Sequence, residues 1–153
     1  MKIVQAGENF VCQLAKREKN LLFELLRLYP CIPSAHPGTK KTGGAPETSQ
    51  RLLDEALAEQ RTVNRLQVQN WLSDPHRFQQ VESAWRLMLS GSEVEWLLQI
   101  LNDVRVGSWL SLGSPDEKLE FGLLNEKTAP HFWAMQLAGE FEMRLLKAIE
   151  SQY

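Results

Sequence analysis

The stretch EWLLQILNDVRVGSWLSLG, residues 95–113, carries three polar side chains close together in an otherwise apolar helical run. At 100° per residue, Asn102, Asp103 and Arg105 each project between apolar neighbours, so the run has no single polar side. A helix that is apolar nearly all round is typical of the centre of a bundle. The stretch therefore predicts a buried central helix whose polar groups need partners, because an unpaired buried amide or charge is costly.

These three polar side chains have two interpretations. In the first, Asp103 and Arg105 tie loops or neighbouring helices to the core, and Asn102 satisfies a loop backbone. In the second, they line a pocket or a partner groove together with Trp109, because polar groups that converge among aromatic side chains are typical of ligand sites. The residue pattern leaves both interpretations open.

The rest of the chain supplies the elements around this helix. Two alternating runs, KIVQ and FVCQL, flank AGEN and predict an N-terminal β-hairpin, and WRLML predicts a third short strand beside it. Asp74-Pro75 resembles a helix start and predicts a short helix through Phe78 and Val81. Ser90 and Glu93 predict a capping box ahead of the central helix. Helical periodicity also predicts three further helices, which begin near Ala15, near Glu47 and at Asn125 or Thr128.

The expected fold is therefore mainly α: a single-domain helical bundle, with four substantial helices around the central buried helix at 91–112 and a small N-terminal β-hairpin. A length of 153 residues with 43 % apolar composition suits one domain over 1–153. Proline and glycine residues lie in two stretches between predicted helices and predict mobile loops at about 31–47 and 113–127.

Charge and hydropathy exclude some partner classes. The chain has 17 basic and 19 acidic residues, a formal charge of -2, so nucleic acid is not an expected partner. No apolar run approaches the ~18 residues that span a bilayer, and the N-terminal residues lack the pattern of a signal peptide. These features predict a cytoplasmic protein without a membrane partner, and they leave a homo-oligomer open.

Motifs for catalysis, nucleotide binding and metal binding are not found in the sequence. There is no G-x-S-x-G elbow, Walker loop or G-x-G-x-x-G, so no catalytic residue and no cofactor is predicted. No metal site is predicted either, because the potential ligands are widely separated: Cys12, Cys31, His36, His76 and His131. His131, beside two aromatic residues, is either a partly buried structural histidine or a candidate general base.

The block EWLLQILNDVRVGSW, with LNDVR at residues 101–105, resembles an uncharacterised bacterial family, a domain of unknown function with an L-N-D-x-R helix motif. AKREKNLLFELLRLYP and NEKTAPHFWAMQLAGEF extend the resemblance over most of the chain. The resemblance implies a small, cytoplasmic, mostly helical protein with no established activity. In some relatives the gene lies near that of a protease adaptor, which implies protein partners.

Two functions remain candidates. Missing catalytic motifs, long loops and five tryptophans favour a non-enzymatic protein–protein interaction or regulatory module, although core packing is the alternative role for the tryptophans. The second candidate is a small-molecule-binding protein or enzyme with a pocket near Asn102, Asp103 and Arg105. The candidate ligand or partner residues are Asn102, Asp103, Arg105, Trp109 and His131.

Overall fold

A computed structural model describes residues 1–33, 47–116 and 124–151. The predicted mobile loops fall largely on 34–46 and 117–123, outside the described residues. Eight elements follow one another in the described part: β1 (Lys2–Ala6), β2 (Asn9–Leu14), α1 (Lys16–Leu28), α2 (Glu47–Ser73), β3 (Phe78–Val81), β4 (Ala84–Ser90), α3 (Gly91–Ser111) and α4 (Ala129–Glu150).

The predicted N-terminal hairpin is confirmed as the β1–β2 pair. The strands run antiparallel, with Ile3 opposite Cys12 and Val4 opposite Val11. Gly7 makes the turn at φ 65°, a conformation that glycine adopts without steric cost. The WRLML strand is also confirmed, because β4 pairs with β2 and joins the hairpin in one sheet.

The predicted helix through Phe78 and Val81 is wrong, because this segment is strand β3. Asp74 Oδ1 accepts the backbone N–H of His76 at 2.8 Å, so Asp74 closes a local turn and does not cap a helix. Phe78 then pairs opposite Leu87 and packs its ring edge-on against Phe23, with centroids 4.8 Å apart. These non-local contacts bury Phe78 and favour the extended backbone.

The fold class therefore needs a correction. Helices make up 63 % of the described residues, but a four-stranded antiparallel sheet in the order β1-β2-β4-β3 accompanies them. The chain is mainly α plus β, and the hairpin is half of a sheet. The inner face of the sheet buries Phe10, Cys12, Leu87 and Leu89 in the same apolar core as α1, α3 and α4.

Helix α3 is central, but it is not enclosed on all sides. It buries one face in the core through Ile100, Leu101 and Val104, and it packs along α4. Its opposite side presents an exposed stripe that follows the 3–4 residue spacing of one helical side: Gln99, Asn102, Arg105 and Trp109. The prediction that this helix lacks a polar side is therefore wrong, because the core and α4 leave one side of α3 uncovered.

The start of α3 confirms the predicted capping box. Ser90 Oγ accepts the N–H of Glu93 at 3.2 Å, and Glu93 Oε2 accepts the N–H of Ser90 at 2.8 Å. We expect Ser90→Ala to lower the free energy of unfolding by about 1 kcal/mol, because a helix N-terminal N–H loses its acceptor. Urea denaturation measures the loss, with Ser49→Ala, at an exposed position of α2, as the control. Equal stability of the two variants would contradict a role for the cap.

Helix α2 begins at Glu47, as predicted, and packs only over its C-terminal half. Asn64, Val68 and Trp71 are buried, whereas every residue from 51 to 60 is exposed. Trp71 stacks at a tilt against Trp96 of α3, with ring centroids 4.6 Å apart. The N-terminal half of α2 therefore stands beside α3 with open space between the two helices.

Candidate binding site

Three of the sequence-predicted site residues lie on one exposed surface of α3. Asn102, Arg105 and Trp109 follow Gln99 at helical spacing, and we name these four residues the α3 ridge. A groove lies on each side of the ridge, one shared with α4 and one shared with α2. The ridge with its two grooves is the candidate binding site.

The α3–α4 groove has a volume of about 570 Å³ and is lined by both polar and apolar side chains. Val106 and Trp109 of α3 face Met135, Gly139 and Met143 of α4 across it. Trp109 is 38 % exposed, and its indole N–H donates to the carbonyl of Pro115 at 3.0 Å. This hydrogen bond holds the indole in one orientation before any partner arrives.

The α2–α3 pocket has a volume of about 580 Å³ and lies on the other side of the ridge. Its walls are the segment 29–33 after α1, the stretch 54–64 of α2 and the stretch 99–103 of α3. Ile32, Pro33 and Leu57 make part of the lining apolar, and Arg61 and Asp103 supply charge. Both the volume and the mixed lining are typical of small-molecule sites.

Asp103 braces the segment after α1, as the first interpretation predicts. Its Oδ1 accepts the backbone N–H groups of Cys31 at 2.6 Å and of Ile32 at 3.3 Å. Burial raises the pKa of this carboxyl above its ordinary value, while the two N–H donors and the nearby Arg61 guanidinium oppose that rise. Asp103 therefore fixes one wall of the α2–α3 pocket.

Arg105 braces α3 against α4 and also contacts Asn102. Arg105 Nε lies 2.7 Å from Glu142 Oε2, and Arg105 Nη2 donates to Asn102 Oδ1 at 2.7 Å. The expected bond from Asn102 to a loop backbone stays a prediction, because the two long loops lie largely outside the described residues. Glu142 was missed as a partner, although a carboxylate between the apolar Phe141 and Leu145 was a visible signal.

We expect Arg105→Ala to lower the free energy of unfolding by about 1 kcal/mol at neutral pH, because it leaves Glu142 half-buried without its cation. Burial already raises the pKa of Glu142, and Arg105 opposes that rise. The loss is therefore full above the pKa of Glu142 and fades as the pH falls through it. Urea titrations at several pH values test this, with the exposed Arg51→Ala as control; a loss independent of pH would refute the pair.

A second polar cluster was not anticipated from the sequence. Asn64 is only 6 % exposed, and its Oδ1 accepts from Trp96 Nε1 at 3.2 Å and from Gln60 Nε2 at 3.1 Å. Its Nδ2 donates to the hydroxyl of Tyr29 at 3.3 Å. This amide forms part of the α2–α3 pocket. A lone asparagine in a polar stretch of helix gives no sequence signal of burial.

His131 lies outside both grooves. It is exposed in the first turn of α4, so the expectation of a partly buried structural histidine is wrong. Trp133, two residues further on, is 58 % exposed. Trp71 and Trp96 are in the core, so the core interpretation of the tryptophans holds for these two and fails for Trp109 and Trp133.

The two thiols are poorly suited to nucleophilic or metal chemistry. Burial raises the pKa of Cys12 to about 12. Burial, with the charge of Asp103 as a smaller cause, raises the pKa of Cys31 to about 11. Both thiols are protonated at neutral pH, whereas the thiolate is the nucleophile and the metal ligand. Among the described residues, no three His, Cys, Asp or Glu side chains form a group that could hold a metal ion; His36 lies outside them.

Comparisons with protein-family models, curated proteins and solved structures find no match to this chain. The resemblance to the bacterial L-N-D-x-R family therefore stays a prediction. Over the described ranges, no helix combines the length and apolar character that a membrane span requires.

Proposed function

We propose that the protein is a non-enzymatic protein-interaction module whose α3–α4 groove receives an amphipathic helix of a partner protein. The observation that supports this function is the pre-oriented Trp109 indole beside two methionines in an open groove of about 570 Å³. Tryptophan is enriched among the residues that dominate binding energy. Methionine side chains adapt their shape to an incoming apolar surface. A cytoplasmic location and a bacterial origin belong to the same proposal.

The backbone around the groove favours a helix as its occupant. Both walls are helices, whose backbone N–H and C=O groups are bonded within α3 and α4 away from their ends. An extended peptide against Trp109 and Met143 would place backbone polar groups where no strand edge can pair with them. A helix satisfies these groups internally and presents apolar side chains at i, i+3, i+4 and i+7.

A charge introduced into the groove tests the proposal. Met143 is 43 % exposed in the groove, and Met88 is 53 % exposed on the outer face of the sheet. We expect Met143→Glu to weaken binding of the partner at least about 10-fold, because it places a carboxylate in an apolar contact. Met88→Glu makes the same chemical change outside the groove and serves as the control.

The partner is first sought by quantitative capture from native lysate with the wild-type protein and both variants as baits. A partner must then bind the purified protein through a helical segment and lose affinity only with Met143→Glu. Circular dichroism and thermal melting establish that both variants fold. If no protein shows this dependence, or if an identified partner binds both variants alike, the groove is not the interaction site.

The α2–α3 pocket supports a second candidate function, the binding of a small molecule. The observation that favours it is a half-buried carboxylate, Asp103, in a pocket that is also lined by apolar side chains. A melting-temperature screen with metabolites tests it, because a ligand at a hundred times its Kd adds about 2.7 kcal/mol of stability. The absence of any stabilising metabolite would count against this candidate.

A further inference from the structure

Among the described residues, three charged side chains line the α2–α3 pocket. Asp54 and Arg61 come from α2, and Asp103 comes from α3. Two carboxylates and one guanidinium leave a formal charge of -1 among the lining groups. This balance disfavours an anionic ligand, because the approaching charge would meet two carboxylates around one cation.

Within the described residues, only one of the two carboxylate oxygens of Asp103 accepts a hydrogen bond. Oδ1 accepts the backbone N–H groups of Cys31 and Ile32, and in the described part of the chain no hydrogen bond reaches Oδ2. Arg61 is near enough to interact electrostatically with Asp103, but it donates no hydrogen bond to it within that part. Burial raises the pKa of Asp103, which indicates that its charge is incompletely compensated. A cationic donor would supply the missing compensation.

The other lining residues indicate what the cation should be attached to. Tyr29 places an aromatic ring at the pocket, and the face of an aromatic ring attracts an ammonium group. Ile32 and Pro33 in the segment after α1 and Leu57 on α2 are apolar lining residues that a hydrocarbon body could contact. The volume of about 580 Å³ lies within the range of pockets that hold small organic molecules.

We infer that the α2–α3 pocket binds a small organic cation, with an ammonium group at Asp103 and an apolar body against Ile32, Pro33 and Leu57. This inference rests on the second candidate function, ligand binding in that pocket, and is independent of the α3–α4 groove. An organic cation can donate to the Oδ2 carboxylate oxygen of Asp103 and also contact the apolar lining residues. A metal ion lacks the apolar body, and a neutral hydrocarbon lacks the charge.

Three probes of similar size and different charge test the inference. They are 2-phenylethylammonium, 2-phenylethanol and 3-phenylpropanoate, titrated into the full chain by calorimetry and followed by NMR. We expect the cation to bind with a Kd on the order of 1 mM, at least about 10-fold more tightly than the alcohol, and the carboxylate not to bind. NMR shifts should map to 29–33, 54–64 and 99–103.

Variants connect the binding to the proposed groups. Asp103→Asn should weaken the cation at least about 10-fold and leave the alcohol unchanged, because it removes the charge and keeps an acceptor for Cys31 and Ile32. Asp54→Asn, at an exposed lining residue, should also weaken the cation and serves if Asp103→Asn fails to fold. Asp116→Asn removes a carboxylate outside the pocket and should change nothing.

The outcomes separate the ligand class from the pocket itself. Equal binding of the alcohol and the cation, or tighter binding of the carboxylate, would overturn the inference while ligand binding in the pocket survived. No binding of any probe at about 10 mM would overturn the inference, whereas the metabolite screen decides the second candidate function separately. Cation binding that is insensitive to both Asp103→Asn and Asp54→Asn would also overturn it.

Discussion

Replacing Gly107 by Ala is expected to lower the free energy of unfolding by about 3 kcal/mol. A Cβ at this position would lie 2.3 Å from Cys31 Cβ, 2.5 Å from its carbonyl carbon and 2.8 Å from its carbonyl oxygen. Two of these atoms are backbone, so the clash cannot be relieved by a rotamer change. The segment after α1 must move away from α3, which strains the bonds to Asp103.

Gly91→Ala is the matched control for this prediction. Gly91 begins the same helix, and a Cβ there meets no atom within 4 Å. Alanine should therefore be neutral or slightly stabilising at 91, because it restricts the unfolded chain more than glycine does. Chemical denaturation of both variants gives the comparison. If Gly107→Ala were as stable as Gly91→Ala, the close contact between Cys31 and α3 would be wrong.

Asp103→Ala is the second large loss, expected at about 2 kcal/mol. The substitution removes the acceptor of two backbone N–H groups, those of Cys31 and Ile32, in a partly buried segment. Asp103→Asn should lose less, about 1 kcal/mol, because its amide oxygen still accepts these bonds. Urea denaturation at neutral pH ranks the three proteins. A larger loss for Asn than for Ala would contradict this role of the oxygen.

The difference in stability between wild type and Asp103→Asn should also depend on pH. Burial raises the pKa of Asp103 in the folded protein above the ordinary 3.8, so the folded state binds this proton more tightly than the unfolded chain does. Wild-type stability should therefore fall relative to Asp103→Asn as the pH rises from 3.8 through the raised pKa. The other carboxyls cancel in the difference. A difference that grows in favour of wild type over this window would have the wrong sign.

Local signals in the sequence were sufficient for most of the elements. The capping box at Ser90 and Glu93 and the alternation in β1, β2 and β4 act within a few residues of each other, so they can be recognised along the chain. Strand β3 could not be recognised in this way. Its extended backbone depends on Leu87 and Phe23, which are distant in sequence from Phe78, and these contacts override the turn at Asp74.

The candidate site was predicted in part. The polar cluster on the central helix indicated Asn102, Arg105 and Trp109, and these residues share the exposed α3 ridge. Their partners could not be predicted, because Glu142 and the segment at Cys31 are brought to α3 only by the packing of α4 and α1. The second interpretation places a pocket or groove beside these residues, but the shapes and walls of the two grooves could not be predicted, since each depends on the separation between two helices.

The segment 29–33 has a consequence for amide hydrogen exchange. Tyr29 donates its N–H to Leu26, Cys31 and Ile32 donate theirs to Asp103, and the two prolines have none to donate. Every amide proton of this non-helical segment is therefore hydrogen-bonded, and those of Cys31 and Ile32 exchange with solvent only when the contact with α3 opens. Deuterium uptake at Cys31 and Ile32 should follow that of the adjacent turns of α3, at a rate far below that of an ordinary surface loop.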